Sequence, residues 1–195
     1  MNARSLCSLV LLALACDGGD VPAPKPGGGR VDAVVAKAPK IDIEGFCDTH
    51  APAASARAMV MPELAGAAPA KAGGWRWINV WATWCKPCVQ ELPMLAGLRE
   101  RFAADHLPIE LMFLSVDADD ATVASFRKAH PGTPEGLRIK DESVLGPWLK
   151  SIGLDENSAL PIHLFVDAEQ RIRCVRMGEV EASHYDTVRG LVQAG

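Results

Sequence analysis

Hydrophobic and polar positions alternate along the chain in a way that predicts strands and helices in turn from residue 41 onward. Two long apolar runs, residues 75–83 and 109–116, are rich in aromatic and β-branched residues, as is typical of strands buried on both faces of a parallel sheet. Apolar residues recur at helical spacing over residues 88–104, directly after the first run, and a second helix is predicted over residues 121–130.

The second half of this region is predicted to end in a hairpin and a closing helix. A helix over residues 144–152 is followed by strands over 162–166 and 172–177, separated by a polar turn, and by a helix over 179–193. Strands that alternate with helices in this order predict an α/β sandwich. Three shorter strands are predicted at residues 41–44, 59–61 and 137–139.

The N-terminal segment has the pattern of an export signal. Arg4 precedes an apolar run over residues 6–15 that is too short to cross a bilayer permanently, so residues 1–15 are interpreted as a signal peptide. The last three residues of the run, which begin at Ala13, and the Cys16 that follows them resemble the lipobox of bacterial lipoproteins, whose cysteine is acylated. Ala13 stands where those proteins usually carry Leu, and an ordinary secretory signal with an incidental Cys16 is the alternative.

Composition and charge add three constraints to this picture. Residues 16–40 are rich in Gly and Pro and are predicted to be a linker, with a lipid attached at its start, which leaves residues 41–195 as one domain. The hydrophobic fraction of 49% suffices for a core without a structural metal. A net charge of -4 and the absence of basic runs argue against nucleic acid as a partner.

The candidate chemistry lies in two cysteines, Cys85 and Cys88, between the first buried strand and the helix that follows it. A cysteine at a helix N-terminus is favoured as a thiolate by the helix dipole and the free backbone N–H groups. The spacing therefore predicts that Cys85 attacks a disulfide and that Cys88, one turn further on, resolves the mixed disulfide.

Other functions of a Cys-x-x-Cys pair are less favoured than redox exchange. A zinc site needs two further ligands, but there is no second Cys-x-x-Cys and the five histidines are scattered. A Cu(I)-binding metallochaperone remains the main alternative, and it differs from the redox protein in retaining the metal as its cargo. A purely structural disulfide and a peroxidase are less favoured.

Residues 80–93, with the sequence VWATWCKPCVQELP, resemble the thioredoxin superfamily. The resemblance is closest to the TlpA/ResA-like branch of membrane-attached bacterial thiol–disulfide oxidoreductases. It implies a thioredoxin-like three-layer sandwich, in which a central mixed sheet carries helices on both faces. It also implies that the protein needs no cofactor and reduces disulfides of partner proteins, such as apocytochrome c or copper-site proteins.

The same resemblance implies where the protein works and with what partners. We expect a monomer on the periplasmic face of a bacterial membrane, anchored by its lipid and reduced by a membrane electron donor. The expected binding partners are protein disulfides.

The resemblance assigns further site residues. Pro161 matches the cis-proline of the family, although a trans proline that opens a strand is the alternative. Glu91 lies three residues after Cys88 and is expected to exchange a proton with it; the alternative is a solvent-facing Glu. Pro93 matches a helix-kinking proline of the family. The residues expected to contact substrate are Trp84, Lys86, Pro87 and Leu160.

One departure from the family pattern follows Pro161. Ile162 and His163 stand where a Thr or another small residue is usual. His163 either faces the site or pairs with a neighbour in the sheet, and we expect the second.

The remaining cysteines are assigned by elimination. Cys7 leaves with the signal peptide, and Cys16 is the lipidation candidate. Cys47 and Cys174 are left, and in an oxidising compartment they are expected to form a structural disulfide, with two unpaired thiols as the alternative.

Overall fold

A computed structural model describes residues 41–70 and 73–195 of the chain. The predicted signal peptide, Cys16 and the whole of the predicted linker lie outside the described residues. None of the helices in the described part is both long enough and apolar enough to cross a membrane.

The described residues form helices and strands in an alternating order. The strands are β1 (Thr49–His50), β2 (Arg57–Ala58), β3 (Trp75–Trp81), β4 (Ile109–Ser115), β5 (Leu137–Arg138), β6 (Ile162–Val166) and β7 (Arg171–Met177). The helices are α1 (Ile43–Phe46), α2 (Lys86–Ala104), α3 (Asp120–Ala129), α4 (Leu145–Ser151) and α5 (Tyr185–Ala194). Short 3-10 turns, Glu142–Val144 and Ala182–His184, precede α4 and α5.

The strands join into one mixed sheet with β3 at its centre. The order is β1-β7-β6-β3-β4-β5, and β2 also pairs with β7. β3 runs parallel to β4 and antiparallel to β6, while β6 and β7 form the predicted hairpin. The predicted α/β architecture is therefore confirmed.

Both faces of β3 are buried, as the continuous apolar run predicted. Trp77 and Trp81 share one face, where Trp77 packs against Phe102 of α2 and Trp81 packs against Phe126 of α3. Phe102 in turn stacks on Tyr185 of α5, with the ring centroids 5.2 Å apart. Three helices thus contribute to the aromatic packing on this face of the sheet.

Two of the short predicted strands are wrong. Residues 43–46 form helix α1 because the Asp42 side chain caps it, accepting a hydrogen bond from the backbone N–H of Gly45 at 3.1 Å. Residues 59–61 follow strand β2 rather than forming a strand, and the carbonyl of Val60 accepts a hydrogen bond from the Trp148 indole at 2.7 Å.

The closing helix begins later than its apolar pattern predicted. Gly178 adopts a positive φ of 87°, and the N–H of Val180 donates to a side chain of α2, so residues 178–181 form a loop. Regular α-helix then starts at Tyr185. Helix α2, in contrast, begins two residues before its predicted start and continues past Pro93 to Ala104.

The structure joins Cys47 and Cys174, the pair expected from the cysteine count. Cys174 lies on β7 opposite His50 of β1, and Cys47 directly follows α1. The two cysteines are 127 residues apart in sequence, so the bond links the start of the domain to a strand near its end.

We expect the double variant Cys47→Ser/Cys174→Ser to be less stable than the wild type. In the chain-entropy model, a loop of this length lowers the entropy of the unfolded chain enough to contribute about 4–5 kcal/mol. Denaturant unfolding of both proteins, each with Cys85 and Cys88 oxidised, measures the difference. Equal free energies of unfolding would contradict a structural role for this disulfide.

Candidate active site

The two candidate redox cysteines lie where β3 ends and α2 begins. Cys85 is the N-cap residue of α2, and its sulfur accepts a hydrogen bond from the backbone N–H of Cys88 at 3.3 Å. The two cysteines are joined in a disulfide. Cys85 is 5% exposed and Cys88 is fully buried, whereas the neighbouring Trp84 is 67% exposed. Attack from outside would therefore reach the sulfur of Cys85 before that of Cys88.

The local sequence favours a helix start at this point. Pro87 occupies the second helical position, where its missing N–H costs nothing and its fixed φ suits the helix. Lys86 is exposed beside Cys85 and adds a positive charge at the helix start. The free N–H groups of the first turn and the helix dipole both stabilise a thiolate on Cys85 once the disulfide is reduced.

A buried carboxylate, Asp117, holds the segment that leads into Cys85, and the sequence did not single it out as a site residue. It accepts hydrogen bonds from the backbone N–H of Thr83 at 3.1 Å and from the Thr83 hydroxyl at 2.6 Å. The Ser115 hydroxyl donates to the same carboxylate at 2.7 Å. Asp117 takes no part in capping the next helix, because Asp119 caps α3 by accepting from the N–H of Thr122. The sequence feature that could have identified Asp117 is the position of a carboxylate directly after a buried parallel strand.

Sheet register brings Pro161 to the same edge as the cysteines. Val80 of β3 pairs with Ile162 of β6, so Pro161 lies at the end of β3 from which the Cys85 segment leaves. The peptide bond between Leu160 and Pro161 is cis. The carbonyl of Pro161 accepts a hydrogen bond from the N–H of Gly178 at 2.9 Å, and Leu160 is half-buried.

Glu91 is buried rather than facing solvent. It lies on α2 three residues after Cys88, which places the two side chains on the same side of the helix. Its carboxylate accepts a hydrogen bond from the Asn79 amide at 2.8 Å and one from the N–H of Val180 at 3.0 Å. A carboxylate is therefore positioned within the protein interior next to the second cysteine.

His163 is also buried in this group, and it does pair with neighbours in the sheet. Its Nδ1 accepts a hydrogen bond from the Trp77 indole at 3.1 Å, and Asn79 lies opposite it in the register of β3 and β6. It also faces the site, because its Nε2 is 3.4 Å from the Glu91 carboxylate. The two roles that the sequence left as alternatives are thus combined.

A second histidine, His184, lies close to this group. Burial lowers the pKa of His184, the nearby Glu181 carboxylate raises it, and the positive charge of Arg176 lowers it further. The net shift is downward, which favours the neutral ring at neutral pH. The neutral form agrees with its geometry, because His184 Nδ1 accepts a hydrogen bond from the N–H of Glu181 at 2.9 Å.

The structure therefore brings together most of the residues that the sequence nominated. Cys85, Cys88, Glu91 and Pro161 lie around the carboxyl end of β3, and Trp84 is exposed beside them. Across residues 41–70 and 73–195, no group of three or more His, Cys, Asp or Glu side chains is arranged to hold a metal ion. The chemistry available at this edge is that of a dithiol with an adjacent carboxylate.

Comparison with known proteins finds a thioredoxin-like protein and thiol–disulfide oxidoreductases among the relatives of this chain. The chain is 37% identical over 49 residues to the thioredoxin-like protein YneN of Bacillus subtilis, a match that covers 25% of this chain and 29% of YneN. It is 24% identical over 118 residues to the thiol–disulfide oxidoreductase ResA of Bacillus subtilis, covering 60% of this chain and 61% of ResA. The matches thus span less than two thirds of either relative.

Among solved structures, a secreted thiol–disulfide isomerase from Corynebacterium glutamicum is similar in fold. It superposes with a TM-score of 0.51 at 22% identity, covering 63% of this chain and 72% of the isomerase. No protein-family model matches the chain. The chain is therefore a thioredoxin-fold protein whose curated relatives include thiol–disulfide oxidoreductases of the ResA type.

Proposed function

We propose that this chain is a thiol–disulfide oxidoreductase that exchanges its Cys85–Cys88 pair with disulfides of partner proteins. The observation that carries the proposal is the position of that pair: Cys85 caps the N-terminus of α2 and Cys88 lies one turn inside, next to the buried carboxylate of Glu91. The similarity to ResA supports the same chemistry.

The proposed reaction transfers two electrons from the dithiol to a substrate disulfide. The Cys85 thiolate attacks one substrate sulfur, forms a mixed disulfide and releases the other substrate sulfur as a thiolate. Cys88 then loses its proton to Glu91 and attacks Cys85 Sγ. This step forms the Cys85–Cys88 bond and releases the second substrate thiolate, and the two thiolates take up protons from Glu91 and from solvent.

We infer that the direction in the cell is reductive and that the substrates are folded or partly folded protein disulfides. The exposed Trp84 and the loop at Leu160 and Pro161 flank the cysteines, and both offer surfaces to an extended substrate segment. A second dithiol donor is needed to reduce the Cys85–Cys88 bond after each cycle, and we place that donor in the membrane. Apocytochrome c and copper-site proteins are candidate substrates by resemblance to the TlpA/ResA-like branch.

The export pattern of the N-terminus supports an extracytoplasmic location. We propose that residues 1–15 are removed, that Cys16 carries a lipid and that residues 16–40 tether the domain to the outer face of a bacterial membrane. The Cys47–Cys174 bond supports the same compartment, because structural disulfides persist where the environment is oxidising.

Replacement of either redox cysteine is expected to stop turnover at a different step. Cys85→Ser removes the nucleophile and should abolish catalysed insulin reduction by dithiothreitol. Cys88→Ser leaves the nucleophile but no resolving thiol, so it should accumulate a mixed disulfide with substrate. Turbidity measures the first effect, and mass spectrometry under non-reducing conditions measures the second.

Two results would oppose this assignment. Undiminished turnover by Cys85→Ser would show that another group attacks the disulfide. Stoichiometric Cu(I) retained by the wild type against a competing chelator, with no disulfide exchange, would instead favour the metallochaperone.

The variant Glu91→Gln is expected to slow resolution of the mixed disulfide by about 100-fold, because an amide cannot take the Cys88 proton. Rapid quenching with a labelled peptide disulfide, followed by mass spectrometry, separates this step from the first attack. Glu100→Gln, an exposed carboxylate on the same helix, is the matched control and should resolve at the wild-type rate. An unchanged rate in Glu91→Gln would remove the carboxylate from the mechanism.

Lipid attachment is tested with the full chain in a bacterial host. Cys16→Ala is expected to move the protein from the membrane pellet to the soluble extract and to abolish incorporation of labelled fatty acid. Cys7→Ala, within the predicted signal, should leave both unchanged. A Cys16→Ala protein that still incorporates the label would contradict the proposed anchor.

A further inference from the structure

His163 is a fully buried titratable side chain for which the proposed reaction has no use. It lies on β6 two residues after Pro161, and its Nε2 is 3.4 Å from the carboxylate of Glu91. The sheet register places it between Asn79 of β3 and Arg176 of β7, so these three side chains share one face of the sheet. A buried imidazole requires partners for both ring nitrogens if it is not to destabilise the fold.

One ring nitrogen has a partner that fixes the tautomer. The Trp77 indole N–H can only donate, and it points at His163 Nδ1 across 3.1 Å. Asn79 Nδ2 is 3.5 Å from the same nitrogen. Nδ1 must therefore act as an acceptor and carry no hydrogen, which makes the ring neutral and places its one N–H on Nε2.

The candidate partner of the second ring nitrogen, Nε2, is the carboxylate of Glu91. Among the described residues, His163 Nε2 makes no hydrogen bond of good geometry, and the Glu91 carboxylate oxygen Oε1 is 3.4 Å away. That oxygen already accepts from Asn79, while Oε2 accepts from the N–H of Val180. Hydrogen bonds of catalytic groups are commonly long in resting structures and shorten when the reaction begins.

Within residues 41–70 and 73–195, few other charged groups surround His163. From α2 it meets Glu91, and from β3 only the uncharged Trp77 and Asn79. Arg176 on β7 lies opposite it in register but donates to the carbonyl of Phe46 at 3.3 Å.

The remaining titratable neighbour is His184, in the turn before α5. Its pKa is lowered, first by its own burial and then by the positive charge of Arg176, against an opposing contribution from Glu181. His184 is therefore favoured as neutral, and among the residues that the structure describes Glu91 is the carboxylate in contact with His163.

We propose that His163 is a positioning residue for proton transfer at Cys88, with its Nε2–H holding Glu91 Oε1 in the orientation from which the carboxylate takes the thiol proton. This proposal rests on the proposed function, because an effect of His163 on the reaction requires that Glu91 accept the proton of Cys88. The proton moves from Cys88 Sγ to Glu91, and His163 neither gains nor loses one. Trp77 belongs to the same arrangement because its indole selects the tautomer.

Two amide variants of His163 separate the roles of its nitrogens. In His163→Asn the amide reaches only the position of Nδ1, so the donor toward Glu91 is lost. In His163→Gln the longer amide reaches the position of Nε2 and can still donate to Glu91. We expect resolution of the mixed disulfide to slow about tenfold in His163→Asn, the effect of losing one hydrogen bond to a charged group, and to recover in His163→Gln.

A double variant distinguishes positioning from a merely structural role. In the Glu91→Gln background, His163→Asn should cause no further slowing, because the group that it positions is already absent. The pH dependence that Glu91 gives to the resolving step should disappear in Glu91→Gln but remain, displaced, in His163→Asn, because the carboxyl of Glu91 is still present there. Equal slowing by His163→Asn in both backgrounds, or no slowing in either, would overturn the proposal. Thermal unfolding of each variant controls for loss of the fold.

A spectroscopic test does not depend on activity. Nitrogen-detected NMR of the oxidised wild type should show His163 with hydrogen on Nε2 and none on Nδ1, and Glu91→Gln should shift the Nε2 resonance while Glu100→Gln should not. Hydrogen on Nδ1, or no response to Glu91→Gln, would overturn the pairing. If the pairing is found in a protein that exchanges no disulfides, the proposed function fails while the contact stands.

Discussion

The register of β3 against its two neighbours determines where every candidate functional group lies. Because β3 and β4 run parallel, their carboxyl ends meet, and Trp81 pairs with Ser115 next to Asp117. Because β6 runs antiparallel, its first residues reach the same end, so Pro161 precedes the pairing of Val80 with Ile162. A shift of one residue in either ladder would turn these side chains to the opposite face. The site is therefore a property of the sheet as much as of the Cys-x-x-Cys segment.

Burial of polar groups at the site carries a cost that the fold offsets only in part. A buried carboxylate is tolerated when hydrogen bonds satisfy it, and Glu91 receives them from Asn79 and from the backbone of Val180. Asn79 Oδ1 and His163 Nε2 nevertheless have no hydrogen-bond partner of good geometry within the described residues. Each such group costs about 1–3 kcal/mol. Polar groups retained at that cost in a core are expected at sites that need them for chemistry.

The central elements could be predicted from the sequence because their signals are local and strong. The apolar run of β3, the helix after Cys88 and the hairpin of β6 and β7 each have a periodicity that tertiary contacts do not override. The segments at residues 41–44 and 59–61 do not form the predicted strands, because a cap by Asp42 and a hydrogen bond from Trp148 to the Val60 carbonyl decide their conformation. The second of these joins residues 88 positions apart, which no local pattern reveals.

The same distinction applies to the site. Cys85 and Cys88 follow from spacing alone, and Glu91 and Pro161 follow from resemblance to a family. Asp117 and the pairing of His163 with Glu91 require the sheet register, since both join residues that are distant in the chain. A histidine in an apolar strand is ordinarily interpreted as a residue of the core. Only the contacts of His163 with Trp77 and Glu91 relate it to the site.

Strand β7 connects the structural disulfide to the redox site. One part of the strand carries Cys174, which is bonded to Cys47, and the loop after its last residue supplies the N–H groups of Gly178 and Val180. The first of these holds the carbonyl of Pro161 and the second holds the carboxylate of Glu91. Since the hydrogen bonds of that loop depend on the position of β7, a bond that fixes β7 against the start of the domain also stabilises the backbone donors around the redox pair. The Cys47–Cys174 bond thus supports the geometry of the site as well as the free energy of folding.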